Sequence, residues 1–155
     1  MTYPGPARPG PILTLITALA VLLLATGCTV ASPDSQAYRD RTSLVLTDAI
    51  SHVATAQKVL AASQDDKILG SYALATVRSS DDTLNTAVGA YFELYPPREM
   101  DPRFKRVSSL LGDATDLVTE SRIALYRHDR AEYPALISDL DDLTTKLERL
   151  EKEMS

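Results

Sequence analysis

Apolar residues spaced alternately three and four apart constrain this chain more than any other feature, and the clearest run lies between Phe104 and Leu125. Its members are Phe104, Val107, Leu111, Ala114, Val118, Ser121 and Leu125, with Leu110 and Leu117 beside them. A second run, with Lys146 and Glu148 among the charged residues between its members, consists of Leu136, Leu140, Leu143, Leu147, Leu150 and Met154. Such spacing places each set on one face of a helix. The pattern predicts two amphipathic helices whose apolar faces need partners.

Two further helices are predicted earlier in the chain. Ser32-Pro33-Asp34 is typical of a helix start, and Leu46, Ile50, Val53 and Leu60 continue on one face to about Gln64. The turn Asp65-Asp66-Lys67 precedes a stripe of Leu69, Ala73, Thr76, Ser80, Leu84, Ala87, Tyr91 and Leu94, which must end near Tyr95 because Pro96-Pro97 cannot continue a helix. Thr76 and Ser80 weaken its middle, and Ser79 to Asp82 could cap a separate helix. This segment is therefore either one helix or two.

The four segments predict an all-α fold. Asp101-Pro102 starts the third segment, His128-Asp129 ends it, and either Asp129 or Tyr133-Pro134 starts the fourth. Tryptophan is absent and glycine is scarce, whereas β folds need aromatic strands and turn glycines. Short connections favour antiparallel neighbours, so we expect an up-down antiparallel bundle of four helices over residues 34–153. A three-helix bundle with extra segments is the alternative.

The segment Ile12 to Cys28 indicates where such a bundle resides. Its residues from Ile12 to Ala25 are apolar apart from two threonines, a length that suits a signal peptide better than a membrane-spanning helix. Ala25-Thr26-Gly27 then leads to Cys28, the only cysteine. This ending resembles the lipobox of bacterial lipoproteins. The resemblance implies cleavage before Cys28, a diacylglyceryl thioether on its sulfur, and attachment at the extracytoplasmic face of the cell membrane.

The predicted organisation is a signal peptide at 1–27, a spacer at 28–33 and the bundle. Ala25 occupies a position where lipoproteins usually have Leu or Val, so an ordinary signal peptide or an uncleaved anchor is the alternative. The formal net charge of −5 becomes −6 once Arg8 is removed with the signal. This acidity argues against a nucleic-acid partner and against electrostatic adhesion to anionic lipid.

Motifs for catalysis and metal binding are absent from the sequence. The two histidines, His52 and His128, have no Cys, Met or acidic neighbours at the spacing of a zinc, haem or di-iron site. The acidic groups Asp65-Asp66, Asp81-Asp82 and Asp139 to Asp142 lack the order of a calcium loop, so we interpret them as solvated helix faces or caps. There is no nucleophile elbow and no phosphate-binding loop. We expect no enzyme, cofactor or metal.

Two functional hypotheses remain from the residues. The first is a membrane-anchored binding or assembly module, whose protein partner the sequence does not identify. The second is a carrier of a small apolar ligand, suggested by the polar gap at Thr76 and Ser80. The aromatic group Tyr91, Phe92 and Tyr95 either closes one end of the bundle or forms a docking surface for a partner.

Overall fold

The computed structural model describes residues 35–96, 98 and 101–154, which contain four helices and no strand. Helix α1 spans Ser35–Gln64, α2 spans Gly70–Phe92, α3 spans Asp101–Arg127 and α4 spans Tyr133–Met154. The predicted all-α bundle is confirmed. The predicted signal peptide, the spacer and Cys28 lie outside the described residues. No described helix has the length and hydropathy needed to cross a membrane.

Contacts between side chains show that neighbouring helices run antiparallel. Thr47, early in α1, hydrogen bonds to Glu151, late in α4, whereas Gln57 farther along α1 donates to Asp141 farther back in α4. Arg106, near the start of α3, pairs with Glu153 near the end of α4 at 2.6 Å. The helices pack in a ring, each on the next and α4 on α1, and α1 also contacts α3 across the core.

The core is built from the predicted stripes of α1, α3 and α4. The buried apolar residues of these helices are Tyr38, Val45, Leu46, Ala49, Val53, Ala56, Val59 and Leu60 of α1, Val107, Leu111, Ala114, Val118, Ala124 and Leu125 of α3, and Tyr133, Leu136, Leu140, Leu143, Leu147, Leu150 and Met154 of α4. All six predicted positions of the last stripe are buried. The charged side chains Lys146 and Glu148 between them are exposed. Burial of the spaced leucines is the principal source of stability in such a bundle.

Helix α2 differs from the sequence prediction at its middle and its start. It is continuous through Ser79 to Asp82, and the Thr83 and Thr86 hydroxyls donate to the carbonyls of Ser79 and Asp82 one turn earlier in the same helix. Its buried stripe is Ala73, Val77, Ser80, Asp81, Leu84, Val88 and Tyr91. Thr76 and Ala87 flank this stripe, and Leu69 precedes the helix and is exposed. The stripe predicted with Leu69 and Thr76 was therefore partly wrong.

Helices α1 and α3 end in the same way at the same end of the bundle. Asp66 and His128 adopt left-handed backbone conformations, with φ of 55° and 56°. In each case the next residue donates to a carbonyl five positions back, Lys67 to Ala62 and Asp129 to Ala124, both at 2.9 Å. This is the Schellman arrangement, in which the residue with positive φ is usually glycine. The predicted turns at these two places are confirmed.

The C-terminus of α1 is also capped by Arg130, which lies between α3 and α4. Its guanidinium donates to the carbonyls of Ser63 and Gln64, at 3.1 and 2.6 Å, and to Asp66 at 2.9 Å. The hydrogen bond from Arg130 to Asp66 raises the pKa of the arginine. These contacts satisfy carbonyls that have no partner within the helix and tie the two turns together.

Candidate functional sites

The structure does not bring the histidines into a site. His52 is half-buried on the flank of α1, as predicted, and His128 is exposed at the end of α3. Among the described residues, no three side chains of His, Cys, Asp or Glu are grouped so that they could hold a metal ion. Asp139, Asp141 and Asp142 are exposed on α4, in agreement with their interpretation as a solvated face.

Asp81 contradicts its interpretation as a solvated or capping residue. It lies in the middle of α2 facing α3, and its side chain is 7% exposed. Arg122 of α3 donates from Nε to Oδ2 at 2.7 Å, and Thr119 donates to Oδ1 at 2.7 Å. Asn85, one turn along α2, donates to the same Oδ1 at 2.9 Å. Three donors therefore surround one buried carboxylate.

The surroundings of Asp81 favour a positioning role over a chemical one. A buried carboxylate is stable when it is paired and its oxygens accept hydrogen bonds, and both conditions hold here. A general base needs access to a substrate proton, whereas both oxygens of Asp81 are engaged by the protein. The cluster of Asp81, Asn85, Thr119 and Arg122 fixes the relative register of α2 and α3. Only Asp81 of this cluster was singled out in the sequence, because Thr119 and Arg122 lie about forty residues farther on and no local spacing connects them to it.

A second buried polar group lies where α1, α2 and α3 meet near the start of α1. Tyr38 and Tyr91 share a hydrogen bond of 2.7 Å between their hydroxyl oxygens. Thr42 donates to the carbonyl of Tyr38 at 2.8 Å and also approaches the Tyr91 hydroxyl at 3.5 Å. The ring of Tyr91 stacks on Phe104 of α3, with 5.6 Å between centroids. Burial raises the pKa of Tyr91, and the Thr42 contact only partly opposes this. Tyr91 therefore stays neutral, and its hydroxyl makes a polar contact within the core.

The predicted aromatic group divides into a buried and an exposed part. Tyr91 closes the core, as the packing interpretation expects, whereas Phe92 and Tyr95 are exposed. The Phe92 ring lies 6.4 Å from Tyr91, and the Leu94 amide donates to the Tyr91 carbonyl. Phe92 therefore lies next to the buried tyrosine, and Tyr95 is exposed four residues farther along the chain.

An apolar groove adjoins these aromatic residues. It runs between the first half of α1 and the end of α2 and has a volume of about 310 Å³. Its lining residues are Arg41, Leu44, Val45, Asp48, Ala87, Ala90, Tyr91 and Leu94. Leu44 projects from its rim with most of its surface in solvent. Thr76 and Ser80, which suggested a ligand gap in the sequence, are not part of this groove.

A different groove, about 280 Å³ in volume, lies between α3 and α4 and is acidic. Asp113, Asp116, Asp139 and Asp142 line it together with Lys146, over an apolar floor of Leu117 and Leu143. The four aspartates are exposed to solvent. Their mutual repulsion is therefore screened, and the groove is an acidic surface of the bundle.

Comparison with known proteins gives no relative from which a role could be transferred. No protein-family model matches the chain, and neither the curated proteins nor the solved structures include a significant match.

Proposed function

We propose that this protein is a lipoprotein, anchored through Cys28 at the extracytoplasmic face of the cell membrane, whose bundle is a binding or assembly module. The observation that carries the proposal is the apolar segment Ile12 to Cys28, which ends in the only cysteine seven residues before Ser35 begins α1. Two acyl chains on one residue are sufficient for durable anchoring. Catalysis is not part of the proposal.

The bundle supports a role in binding through its shape and its filled core. Its four helices are long, from 22 to 30 residues, and they present extended surfaces of distinct character. The groove between α1 and α2 is apolar, whereas the groove between α3 and α4 is acidic. Surfaces of this kind are typical of proteins that contact other macromolecules.

The anchor is tested by expressing the full chain and its Cys28→Ser variant in bacteria. We expect the parent to be cleaved before Cys28 and to carry the mass of the acyl groups at its new N-terminus. The variant should accumulate as an uncleaved precursor, because the modifying enzyme requires the thiol. The neighbouring Thr29→Ser change should leave processing unaltered. An unmodified Cys28, or cleavage at another bond, contradicts the proposal.

The carrier of a small apolar ligand is the second candidate, and the groove between α1 and α2 favours it. Its volume of about 310 Å³ lies at the lower end of the range for small-molecule sites. Native mass spectrometry of protein purified from membranes distinguishes the two functions. A carrier should retain a small molecule that Ala90→Leu, which fills the groove, displaces. A module that binds macromolecules should show the mass of the protein alone in both forms.

A further inference from the structure

One end of the bundle is close in sequence to the proposed anchor. This end, here called the anchor end, contains the start of α1, the end of α2, the start of α3 and the end of α4. Between Cys28 and Ser35 the chain can span at most about 25 Å, because an extended residue covers about 3.5 Å. If Cys28 holds acyl chains in the bilayer, the anchor end is the end of the bundle that can reach the lipid surface.

Four apolar side chains near the anchor end, Leu44, Phe92, Leu94 and Tyr95, are here called the apolar patch. Leu44 and Leu94 line the same groove, Tyr95 follows Leu94 directly, and the Phe92 ring lies 6.4 Å from that of Tyr91, which also lines the groove. Leu44 and Tyr95 have most of their surface in solvent, and Phe92 has nearly half of its surface in solvent. Aromatic and leucine side chains of this kind are favoured at the boundary between water and lipid, where tyrosine places its hydroxyl among the headgroups.

The distribution of charge favours the same orientation. Among the described residues of the anchor end, the exposed cations Arg39, Arg41, Arg98, Arg103, Lys105, Arg106, Arg149 and Lys152 outnumber the exposed carboxylates Asp40, Glu93, Glu148 and Glu153. At the opposite end, here called the acidic end, the exposed carboxylates Asp65, Asp66, Asp129, Glu132 and Asp139 outnumber the exposed cations Lys58, Lys67, Arg127 and Arg130. An anionic lipid surface attracts arginine and repels carboxylates within about a Debye length. The electrostatic energy is therefore lowest in the orientation in which the acidic end points away from such a surface.

We propose that the apolar patch at the anchor end rests in the headgroup region of the bilayer, so that the bundle stands on the membrane with its acidic end outward. The proposal rests on the lipid anchor of the proposed function. It identifies the first partner of the bundle as the lipid surface, contacted through apolar side chains. The remaining faces of the bundle, including the acidic groove between α3 and α4, stay available to a partner.

The experiment uses four cysteine variants of the full-length lipidated protein, in two matched pairs. Leu44→Cys and Tyr95→Cys lie in the patch, and their side chains are 65% and 80% exposed. Leu69→Cys and Tyr126→Cys lie at the opposite end, and theirs are 76% and 71% exposed. Each patch variant leaves three of the four patch residues unchanged. Each introduced thiol is labelled with a nitroxide after reconstitution into vesicles of phosphatidylethanolamine and phosphatidylglycerol.

Collision of the nitroxide with oxygen and with a water-soluble nickel chelate reports its surroundings, because oxygen concentrates in lipid and the chelate in water. We expect the ratio of oxygen to nickel collision rates to be several-fold higher at positions 44 and 95 than at positions 69 and 126. Equal, water-like ratios at all four positions would overturn the proposal. Low collision rates with both reagents at positions 44 and 95 would also overturn it, since they indicate coverage by protein.

The parent chain separates this inference from the proposed function. If the Cys28 sulfur is in a thioether, the parent has no free thiol and takes up no nitroxide. Labelling of the parent would therefore contradict the lipid anchor itself. A parent that remains unlabelled, together with water-like ratios in the patch, would contradict only the orientation proposed here.

Discussion

The Asp81 carboxylate and the Arg122 guanidinium form an ion pair between α2 and α3, with 2.7 Å between Oδ2 and Nε. The aspartate is buried, whereas 36% of the arginine side chain is exposed. The ion pair joins α2 to α3. The polar middle of α2 suggested a break in that helix, whereas α3 has the most regular apolar stripe of the chain. The buried Asp81 carboxylate therefore lies in the middle of the continuous α2 and also fixes the register of this helix against α3.

Replacement of Asp81 by alanine should lower the free energy of unfolding. It leaves Arg122 and Thr119 without their acceptor and replaces a carboxylate by a small cavity. Removing one partner of a fully buried pair costs about 3 to 5 kcal/mol, and because Arg122 can turn toward water we expect about 1 to 3 kcal/mol. Denaturant melts measure the difference. The exposed neighbour Asp82→Ala is the control, and equal midpoints for the two variants would show that the pair contributes nothing.

Truncation of the central leucines tests the packing of the bundle. Leu111 and Leu143 are buried in α3 and α4, so Leu→Ala at either position should cost about 2 to 5 kcal/mol through the lost transfer energy and the cavity. Leu44→Ala removes the same atoms from an exposed position, and Glu148→Ala removes an exposed charge, so both should cost less than about 1 kcal/mol. Denaturant melts of the monomer are sufficient. Leucine variants that melt like the parent would contradict the buried core.

The buried tyrosine pair predicts a loss of stability at alkaline pH. The neutral hydroxyl of Tyr91 is favoured in the folded state, whereas in the unfolded chain it ionises near its ordinary pKa of 10.0. The stabilisation is complete below pH 10 and decreases above it, by up to about 1.4 kcal/mol for each pH unit. Tyr91→Phe should flatten this part of the profile of unfolding free energy against pH, and the exposed Tyr95→Phe should leave it unchanged. Parallel profiles for the parent and Tyr91→Phe would show that the buried Tyr91 hydroxyl does not cause the loss of stability at alkaline pH.

Glycine in place of His128 should stabilise the protein. A residue with a side chain at φ of 56° loses about 1 to 2 kcal/mol, and glycine avoids this loss at an entropic cost of about 0.5 to 1 kcal/mol. We expect a net gain of about 0.5 to 1 kcal/mol, measured by thermal and denaturant melts. His52→Gly, in the interior of α1, should have the opposite effect by about 1 kcal/mol or more. A loss of stability in His128→Gly would indicate that the imidazole makes a contribution larger than the backbone strain.

The sequence predicted the helices well where one face is apolar and the ends carry turn residues. The end of α1 at Gln64, the turn at His128 and the buried leucines of α4 all follow from local spacing. The middle of α2 did not follow, because Ser79 to Asp82 have the composition of a helix cap, whereas the Asp81 carboxylate accepts from Thr119 and Arg122 on another helix. Burial of Asp81 depends on Thr119 and Arg122, so only the tertiary contact explains it. The groove between α1 and α2 could not be predicted either, since it arises from two helices that each present small or partly exposed residues.

The pairing of α1 with α4 has a consequence for the order of events when the chain is made. Helix α1 is the first of the described helices to leave the ribosome, yet its most extensive neighbour, α4, is the last. Closing the ring therefore needs contacts between residues about a hundred positions apart, such as Thr47 and Glu151, and such contacts form late. In a chain that crosses a membrane with its N-terminus first, α1 would lack its neighbour α4 until the last turns of α4 have crossed. Because the bundle is stabilised by packing that needs α4, the chain would remain unfolded during transit. It would therefore be able to pass through a narrow channel.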